Sequence, residues 1–207
     1  MKLNRFHWHL TDDQGWRIEI SAFPKLTELA SMRPFSNFGR SMEYGPHGGY
    51  YTKSDIREIV AFCAERHITV IPEIEMPGHA SALLSAYPEY SCDGKPVAVK
   101  TRGGVYADTL CAGKEETYAA LEAILMEVME LFPGKQIHLG GDEAPKDHWK
   151  ACPLCQRKMR QEGLKSEVEL QCWFTDRMAA FLKSHGREAV VWLSLIHISE
   201  PTRPISI

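Results

Sequence analysis

Two adjacent carboxylates, Asp142 and Glu143, follow an apolar run at 137–139 and a glycine pair at 140–141. The apolar run suits a short β-strand, and the glycines end it because they allow a tight turn and close approach to a ligand. In a parallel sheet or barrel, catalytic groups collect at this end of the strands. An isolated Asp-Glu pair is more often a solvated loop or the acidic start of a helix. Two further clusters favour a catalytic site.

The same residue types follow two other predicted strands. The strand at 2–10 alternates apolar and polar residues and runs into Asp12 and Asp13. The nearly continuous apolar run at 68–74, typical of a strand buried on both faces, leads into a second acidic cluster. Because parallel strands end on one face, we predict a single site there. The candidates at the three strand ends are Asp12, Asp13, Glu73, Glu75, His79, Asp142 and Glu143.

The elements that must position these residues alternate along the chain. Helical periodicity predicts helices at 54–67, 80–86 and 115–132, and Ser166 begins a capping box that opens another helix ending near Gly186. Thr52 or Ser54 can cap the first of these helices. Residues 31–51 and 90–113 read as long loops, and 190–192 begins a fourth strand. Four β units predict an α/β fold with a parallel sheet, a partial TIM (β/α)₈ barrel.

Composition narrows the classes of function. The chain has 207 residues, of which 44% are hydrophobic and 25% charged, as is normal for one globular domain. A net charge of −3 gives no basic patch, so we expect no nucleic-acid partner. No apolar run is long enough to span a membrane, and the first residues lack a signal-peptide core.

Large aromatic side chains accompany the acidic clusters and could stack on sugar rings. Trp8 lies mid-strand and is predicted to be core, whereas Trp16 and Trp149 lie in predicted loops and are the better ligand candidates. Clustered carboxylates on a barrel serve two chemistries: Mg²⁺ binding for enolate chemistry, or glycoside hydrolysis by a carboxylic acid.

Glycoside hydrolysis with retention normally needs a second carboxylate ~5 Å from the first, across the sugar ring. Asp142 and Glu143 are neighbours and cannot easily bracket a ring. Either Asp12 or Asp13 supplies the opposite group, or the substrate supplies its own nucleophile.

The six cysteines divide into three pairs. Cys63 and Cys172 fall in helical patterns and are predicted to be small apolar fillers. Cys92 and Cys111 flank one loop and could form a disulfide in an oxidising compartment. The pair 152–155 has the spacing of zinc ligands, but a structural zinc site needs four ligands and no second such motif is present. A local disulfide or two free thiols is therefore predicted there, with no metal.

Three motifs together resemble a known family. FHWHLTDDQGWRIEI at 6–20, PEIEMPGH at 72–79 and HLGGDE at 138–143 are similar to the family 20 glycoside hydrolases, the β-N-acetylhexosaminidases, over residues 1–192. The resemblance implies a (β/α)₈ barrel without a cofactor. It also implies a retaining mechanism in which the substrate's acetamido oxygen attacks the anomeric carbon. The partner would be an N-acetylhexosamine-terminated oligosaccharide or glycoconjugate, and lacto-N-biosidase activity stays an alternative within the family.

The resemblance also assigns roles to residues of this chain. Glu143 would be the general acid and then the general base, and Asp142 would accept a hydrogen bond from the acetamido N–H. His79 and Asp12 would form a supporting dyad beside Glu143, with Asp13 its less favoured member and a substrate-binding candidate. His138 and Glu75 are predicted to support these groups.

The resemblance places the chain at roughly strands 2 to 5 of the family barrel. The family's first-strand arginine and later aromatic residues would then lie outside it, and a partial barrel would expose strand edges. An inactive fragment or a homodimer is therefore a further alternative. Residues 193–207 fit neither a strand nor a helix pattern and resemble translated adapter or vector sequence. Family members imply a periplasmic, extracellular or lysosomal location.

Overall fold

The computed structural model describes residues 3–192 and the backbone of residues 205–206. Its strands are β1 (Arg5–His9), β2 (Thr11–Asp12), β3 (Gly15–Trp16), β4 (Met32–Asn37), β5 (Met42–Gly48), β6 (Thr69–Glu73), β7 (Gln136–His138), β8 (Glu188–Val191) and β9 (Ile205–Ser206). Its helices are α1 (Lys25–Glu28), α2 (Lys53–Ala64), α3 (Ser81–Ala86), a 3₁₀ helix (Pro88–Tyr90), α4 (Glu115–Leu131), α5 (Asp147–Ala151), α6 (Pro153–Glu162) and α7 (Glu167–Ser184).

Five parallel strands form the main sheet, in the order β1-β6-β7-β8-β9. The register aligns the carboxyl ends of its first three strands, because His9 pairs with Glu73 and Glu73 pairs with His138. The segments that follow these strands therefore meet at one edge. This confirms the predicted α/β class with a parallel sheet.

Helices α2 and α7 pack against strands β6 and β8, and α4 packs against both of these helices. Their inward faces follow the 3.6-residue period, so α4 buries Leu121, Leu125 and Val128 while α7 buries Phe174 and Leu182. Burying each such side chain contributes about 1.5–3 kcal/mol. None of the helices within residues 3–192 is both long and apolar enough to cross a membrane.

Local signals predicted these elements well. Thr52 caps α2 through a capping box, because its hydroxyl accepts from the Asp55 N–H while the Asp55 carboxylate accepts from the Thr52 N–H. Ser166 caps α7 by accepting from the Glu169 N–H at 3.3 Å. Trp8 is buried as predicted, and so are Cys63 and Cys172.

Two predictions about loops were wrong. Residues 31–51 form the antiparallel hairpin β4–β5, because the Asn37 side chain accepts from the Gly39 N–H and Gly39 adopts φ 80° in the turn. The glycine and proline content of this segment favoured a loop in the sequence analysis, so the strand pairing was not predicted. Trp16 lies on strand β3 and Trp149 on helix α5 instead of in loops, and both side chains are buried.

The predicted tail 193–207 lies outside the described residues except for β9. Contrary to the expectation that the tail adds no strand, Ile205 and Ser206 pair in parallel with Val190 and Val191. The tail's origin as adapter or vector sequence stays a prediction.

The α2 cap gives a test of the fold. We expect Thr52→Ala to lower the free energy of unfolding by about 1 kcal/mol, because the Asp55 N–H loses its acceptor and the Asp55 carboxylate loses the Thr52 hydroxyl. Urea denaturation followed by circular dichroism measures the change. Ser54→Ala, an exposed change in the same helical turn, is the control. An equal loss in both variants would show that the Thr52 cap has no special role.

Candidate active site

Four strand ends surround one open cleft of about 440 Å³. Its walls come from β1 and β2, from the end of β6 and the segment after it, from the segment after β7, and from Trp192 after β8. The lining residues are His7, His9, Asp12, Glu73, Glu75, His79, Asp142, Glu143 and Trp192. The predicted acidic and histidine clusters thus meet in space, as the parallel sheet requires.

His79 lies at the centre of the contacts between these clusters. Its Nδ1 is 3.2 Å from Asp12 Oδ1 and 3.1 Å from Asp13 Oδ2, and its Nε2 is 3.6 Å from Glu143 Oε2. Hydrogen bonds to Asp12 and then Asp13 raise the pKa of His79 to about 11. Burial alone would raise the pKa of Asp12, but the hydrogen bonds from His79 and the Asp13 N–H, together with the charges of His79 and His9, lower that pKa. At neutral pH His79 is therefore an imidazolium between two carboxylates and Glu143.

Asp13 is a support for His79, not a substrate ligand. Only 1% of its side chain is exposed, so the prediction of substrate binding was wrong, and its Oδ2 lies about as close to His79 as Asp12 Oδ1 does. The Ser81 N–H donates to Asp13 Oδ1 at 3.0 Å, and the Ser81 hydroxyl lies between Asp13 and Asp108, at 2.5 and 2.9 Å. Asp108 in turn pairs with Lys100 at 2.5 Å. Sequence reasoning missed Ser81 and Asp108, because no local pattern links residues so far apart.

Glycines allow the two catalytic loops to approach each other. A Cβ on Gly78 would lie 3.1 Å from the Ala144 Cα, so a side chain there would push the His79 loop away from the Glu143 loop. A Cβ on Gly140 would overlap the Glu75 carboxylate, and Gly140 also has φ 64°.

His79 and Glu143 themselves adopt positive φ angles of 48° and 44°. Such angles are uncommon outside glycine, and they cluster where surrounding contacts hold a functional side chain in place. The Gln171 side chain donates to the Gly141 carbonyl and the Trp192 N–H donates to the Gly140 carbonyl, which fixes the loop before Glu143.

Asp142 and Glu143 differ sharply in surroundings. The Glu143 side chain is 55% exposed and faces the cleft. In Asp142, Oδ1 is buried and has no hydrogen-bond partner among the described residues. A buried carboxylate oxygen without a donor is costly, so this atom is suited to accept a hydrogen bond from a bound ligand.

Glu75 lies deeper in the cleft and contacts His9. Burial, aided by the charges of Glu73 and Asp142, raises the pKa of Glu75 to about 7. His9 Nε2 lies 3.3 Å from Glu75 Oε1, and this contact raises the pKa of His9. Glu75 is therefore a buried carboxyl close to its titration point at neutral pH.

A second group fills the floor of the cleft around Glu73. Burial would raise the pKa of Glu73, but His138 and the other nearby imidazoles lower it to about 2. Trp192 Nε1 donates to Glu73 Oε1 at 2.7 Å, and His7 stacks on the fully buried His138 at 4.7 Å between ring centroids. Because side chains alternate along β1, His7 and His9 lie on the same face of the strand. This alternation is the sequence feature that could have identified both as cleft residues.

The two predicted aromatic ligands are not available to a substrate. Trp16 is 1% exposed and donates from Nε1 to the Ile18 carbonyl, while Trp149 is fully buried and donates to the Leu110 carbonyl. Their prediction as substrate-binding residues was wrong, because both pack into the core. Trp192, 39% exposed at the end of β8, is the tryptophan that lines the cleft.

Several cleft residues have donor atoms close enough together to hold a metal ion. Each group combines carboxylates with a histidine: His7 with Glu73 and His138, His9 with Glu73 and Glu75, Asp12 with Asp13 and His79, and His79 with Asp142 and Glu143. Mg²⁺ prefers an octahedral set of oxygen ligands, which these histidine-containing groups do not offer.

Comparison with known proteins agrees with this geometry. The model for the catalytic domain of glycosyl hydrolase family 20 matches residues 1–206. The chain belongs to this family. A beta-hexosaminidase of Porphyromonas gingivalis is 48% identical over 191 residues, which cover 92% of this chain and 24% of that protein.

Solved structures of the family have the same fold. A crystal structure of a beta-N-acetylhexosaminidase superposes with a TM-score of 0.87 at 42% identity, covering 92% of this chain and 40% of the other. The exo beta-N-acetylglucosaminidase of Vibrio harveyi, solved in complex with N-acetylglucosamine, gives 0.80 at 32% identity, covering 95% and 31%. The described sheet is therefore part of a family 20 TIM barrel. The chain spans about a quarter to two fifths of the length of these relatives.

The raised pKa of Glu75 predicts a pH-dependent effect of removing its charge. A folded-state pKa of about 7, above the usual 4.5, means that the protonated form stabilises the fold. That contribution is complete below pH 4.5 and is lost as the pH rises through 7, by about 3 kcal/mol in all. We expect Glu75→Gln, which stays neutral, to raise Tm relative to the unmodified chain more at pH 8 than at pH 5.

Thermal denaturation at the two pH values measures this difference. Glu58→Gln removes an exposed carboxylate from α2 and serves as the control, with no expected change between the two pH values. A Tm difference for Glu75→Gln that is the same at pH 5 and pH 8 would contradict the raised pKa.

Proposed function

We propose that the protein to which this chain belongs is an exo-acting β-N-acetylhexosaminidase using substrate-assisted, retaining catalysis. The proposal rests on the chain of side-chain contacts in which Asp12 and Asp13 bind His79 and His79 contacts Glu143. These contacts place an exposed carboxyl at the mouth of the cleft and a fixed positive charge 3.6 Å behind it. Membership of the family supports the same reaction.

Glu143 is assigned as the general acid and then the general base. As acid it gives its proton to the leaving oxygen and becomes a carboxylate. The His79 imidazolium stabilises that developing negative charge, and such a preorganised charge acts mainly on the transition state. In the second step, the Glu143 carboxylate takes a proton from the attacking water.

Asp142 is assigned to the acetamido group of the substrate. Its buried Oδ1 lacks a donor among residues 3–192, and the acetamido N–H supplies one. Accepting that hydrogen bond orients the acetamido oxygen toward the anomeric carbon and offsets the positive charge of the oxazolinium intermediate. The enzyme then needs no nucleophile of its own, which fits two catalytic carboxylates that are neighbours in sequence.

The alternative of a Mg²⁺-dependent enolase-like enzyme is weaker. The carboxylates nearest the cleft are bound to His9, His79 or His138, and the buried Glu75 favours a proton over a metal at neutral pH. Turnover that requires a divalent ion and is abolished by EDTA would support that alternative.

The substrates proposed are glycans or chitooligosaccharides that end in a β-linked N-acetylhexosamine. The Vibrio harveyi relative, solved with N-acetylglucosamine, supports a sugar of this class. An exported or lysosomal location is proposed by analogy with the family. For the 207-residue chain by itself, a homodimer is proposed because β1 lies at an edge of the described sheet and exposes Phe6. Size-exclusion chromatography with light scattering tests the dimer.

The role of Glu143 predicts a rate loss that depends on the leaving group. In a complete catalytic domain carrying residues 1–192, Glu143→Gln should cost ~10²–10⁴ in kcat/KM for a natural oligosaccharide, because its leaving group needs protonation. The loss should be much smaller for a dinitrophenyl glycoside, because its dinitrophenolate leaving group departs without being protonated.

The control for this measurement is Asp147→Asn, an exposed carboxylate of α5 a few residues downstream. It should retain the original rate on both substrates, with and without EDTA. A Glu143→Gln protein with near-original turnover of the oligosaccharide would refute the assignment.

The role of Asp142 predicts selectivity for the acetamido group. Asp142→Asn should lower kcat/KM for the nitrophenyl N-acetylglucosaminide far more than for the matching glucoside, because only the first substrate offers the N–H. Measurement of kcat/KM for the two substrates, in the original protein and in the variant, tests this selectivity. Equal losses on both would contradict contact between Asp142 and the acetamido group.

A further inference from the structure

Four cysteines that are distant in sequence converge outside the catalytic cleft. Cys92 follows the 3₁₀ helix, Cys111 precedes α4, and Cys152 and Cys155 begin α6. Their sulfur atoms all lie within 4.8 Å of one another. Cys111, Cys152 and Cys155 are buried and Cys92 is half-buried, so most of the cluster is shielded from bulk solvent.

The sulfur separations fit a tetrahedral metal site. The Sγ–Sγ distances are 3.8 Å for Cys92–Cys155, 3.8 Å for Cys111–Cys152 and 3.6 Å for Cys111–Cys155. Four sulfurs placed tetrahedrally at the usual Zn–S distance of 2.3 Å lie ~3.8 Å apart. A disulfide would need a separation of about 2.0 Å, and all six cysteines, which lie within residues 3–192, are free thiols here.

We propose that Cys92, Cys111, Cys152 and Cys155 form a structural Zn²⁺ site. Zinc favours four thiolate ligands in a closed tetrahedral site, and the CxxC pair at a helix start is a common half of such a site. The expected absence of a metal was based on the lack of a second motif in the sequence. The fold supplies the other two ligands from separate segments.

The surroundings of the sulfurs suit bound thiolates. Cys152 lies at the N-terminus of α6, where the helix dipole favours negative charge.

Gly113 allows the two halves of the cluster to meet. A Cβ at this position would overlap the backbone of Leu154 and Cys155, so only glycine permits this contact between the loop and the start of α6. The backbone of the loop 91–114 therefore lies directly on the CxxC turn.

The proposed metal would stabilise the catalytic loops from outside the cleft. The Leu110 N–H donates to the Pro77 carbonyl, two residues before His79, and the Leu110 carbonyl accepts from Trp149 Nε1. The same loop carries Asp108, which contacts Ser81 beneath Asp13. Zinc would thus link the loop that supports His79 to the helices that follow Glu143, and it would keep the thiols from oxidising.

The test measures metal content directly. The 207-residue chain is produced in zinc-supplemented medium, purified under reducing conditions without chelators, and analysed by mass spectrometry of its metals. We expect about one zinc per chain. Replacement by Co²⁺ should give thiolate-to-cobalt charge-transfer absorption, which a site made of histidine and carboxylate would not give. Removing the metal should lower Tm.

Cys92→Ser, the least buried of the four positions, should weaken zinc binding by ~10-fold or more while retaining the circular dichroism of the fold. Cys172→Ser changes a cysteine outside the cluster and should keep the original zinc affinity. Folded chain with reduced thiols and no zinc, one equivalent of iron in place of zinc, or Cys92→Ser with unchanged affinity would each overturn the proposal. So would disulfides that persist in the reduced preparation.

Discussion

One imidazole held between three carboxylates organises the catalytic cleft. Asp12 and Asp13 bind His79 at Nδ1, and its Nε2 faces Glu143. Each partner is set by a different loop, so the contact exists only when the ends of β1, β6 and β7 are in register. Removing either aspartate would leave a buried charge with fewer partners, which is among the most costly changes to a protein interior. The site and the fold are therefore stabilised by the same interaction.

Backbone strain and close packing at the loops follow from that contact. His79 and Glu143 hold positive φ angles, and Gly78 and Gly140 leave no room for a side chain between the loops. These backbone conformations are unfavourable by themselves, and the surrounding hydrogen bonds hold them in place. In return, an exposed Glu143 and a buried, unpartnered Asp142 oxygen are fixed side by side. One residue is suited to move a proton and the other to hold an amide.

The loop between the 3₁₀ helix and α4 supports this arrangement from outside the cleft. Asp108 connects it to Ser81 and so to Asp13, and Leu110 connects it to the backbone before His79. The cysteine cluster lies where this loop meets the start of α6. A long segment without regular structure is ordered here by side-chain contacts at several points, and the proposed zinc would add the strongest of them.

The sequence by itself determined the α/β class, most helices and strands, and the groups at the strand ends. Those features depend on local periodicity, capping and the common direction of parallel strands. Only the tertiary structure decided that Trp16 and Trp149 are core, that Asp13 shares His79 with Asp12, and that 31–51 is a hairpin. It also brought together Cys92 and Cys155, which are 63 positions apart. Side-chain direction in loops and contacts between remote segments depend on packing across the whole domain, which no local pattern of residues encodes.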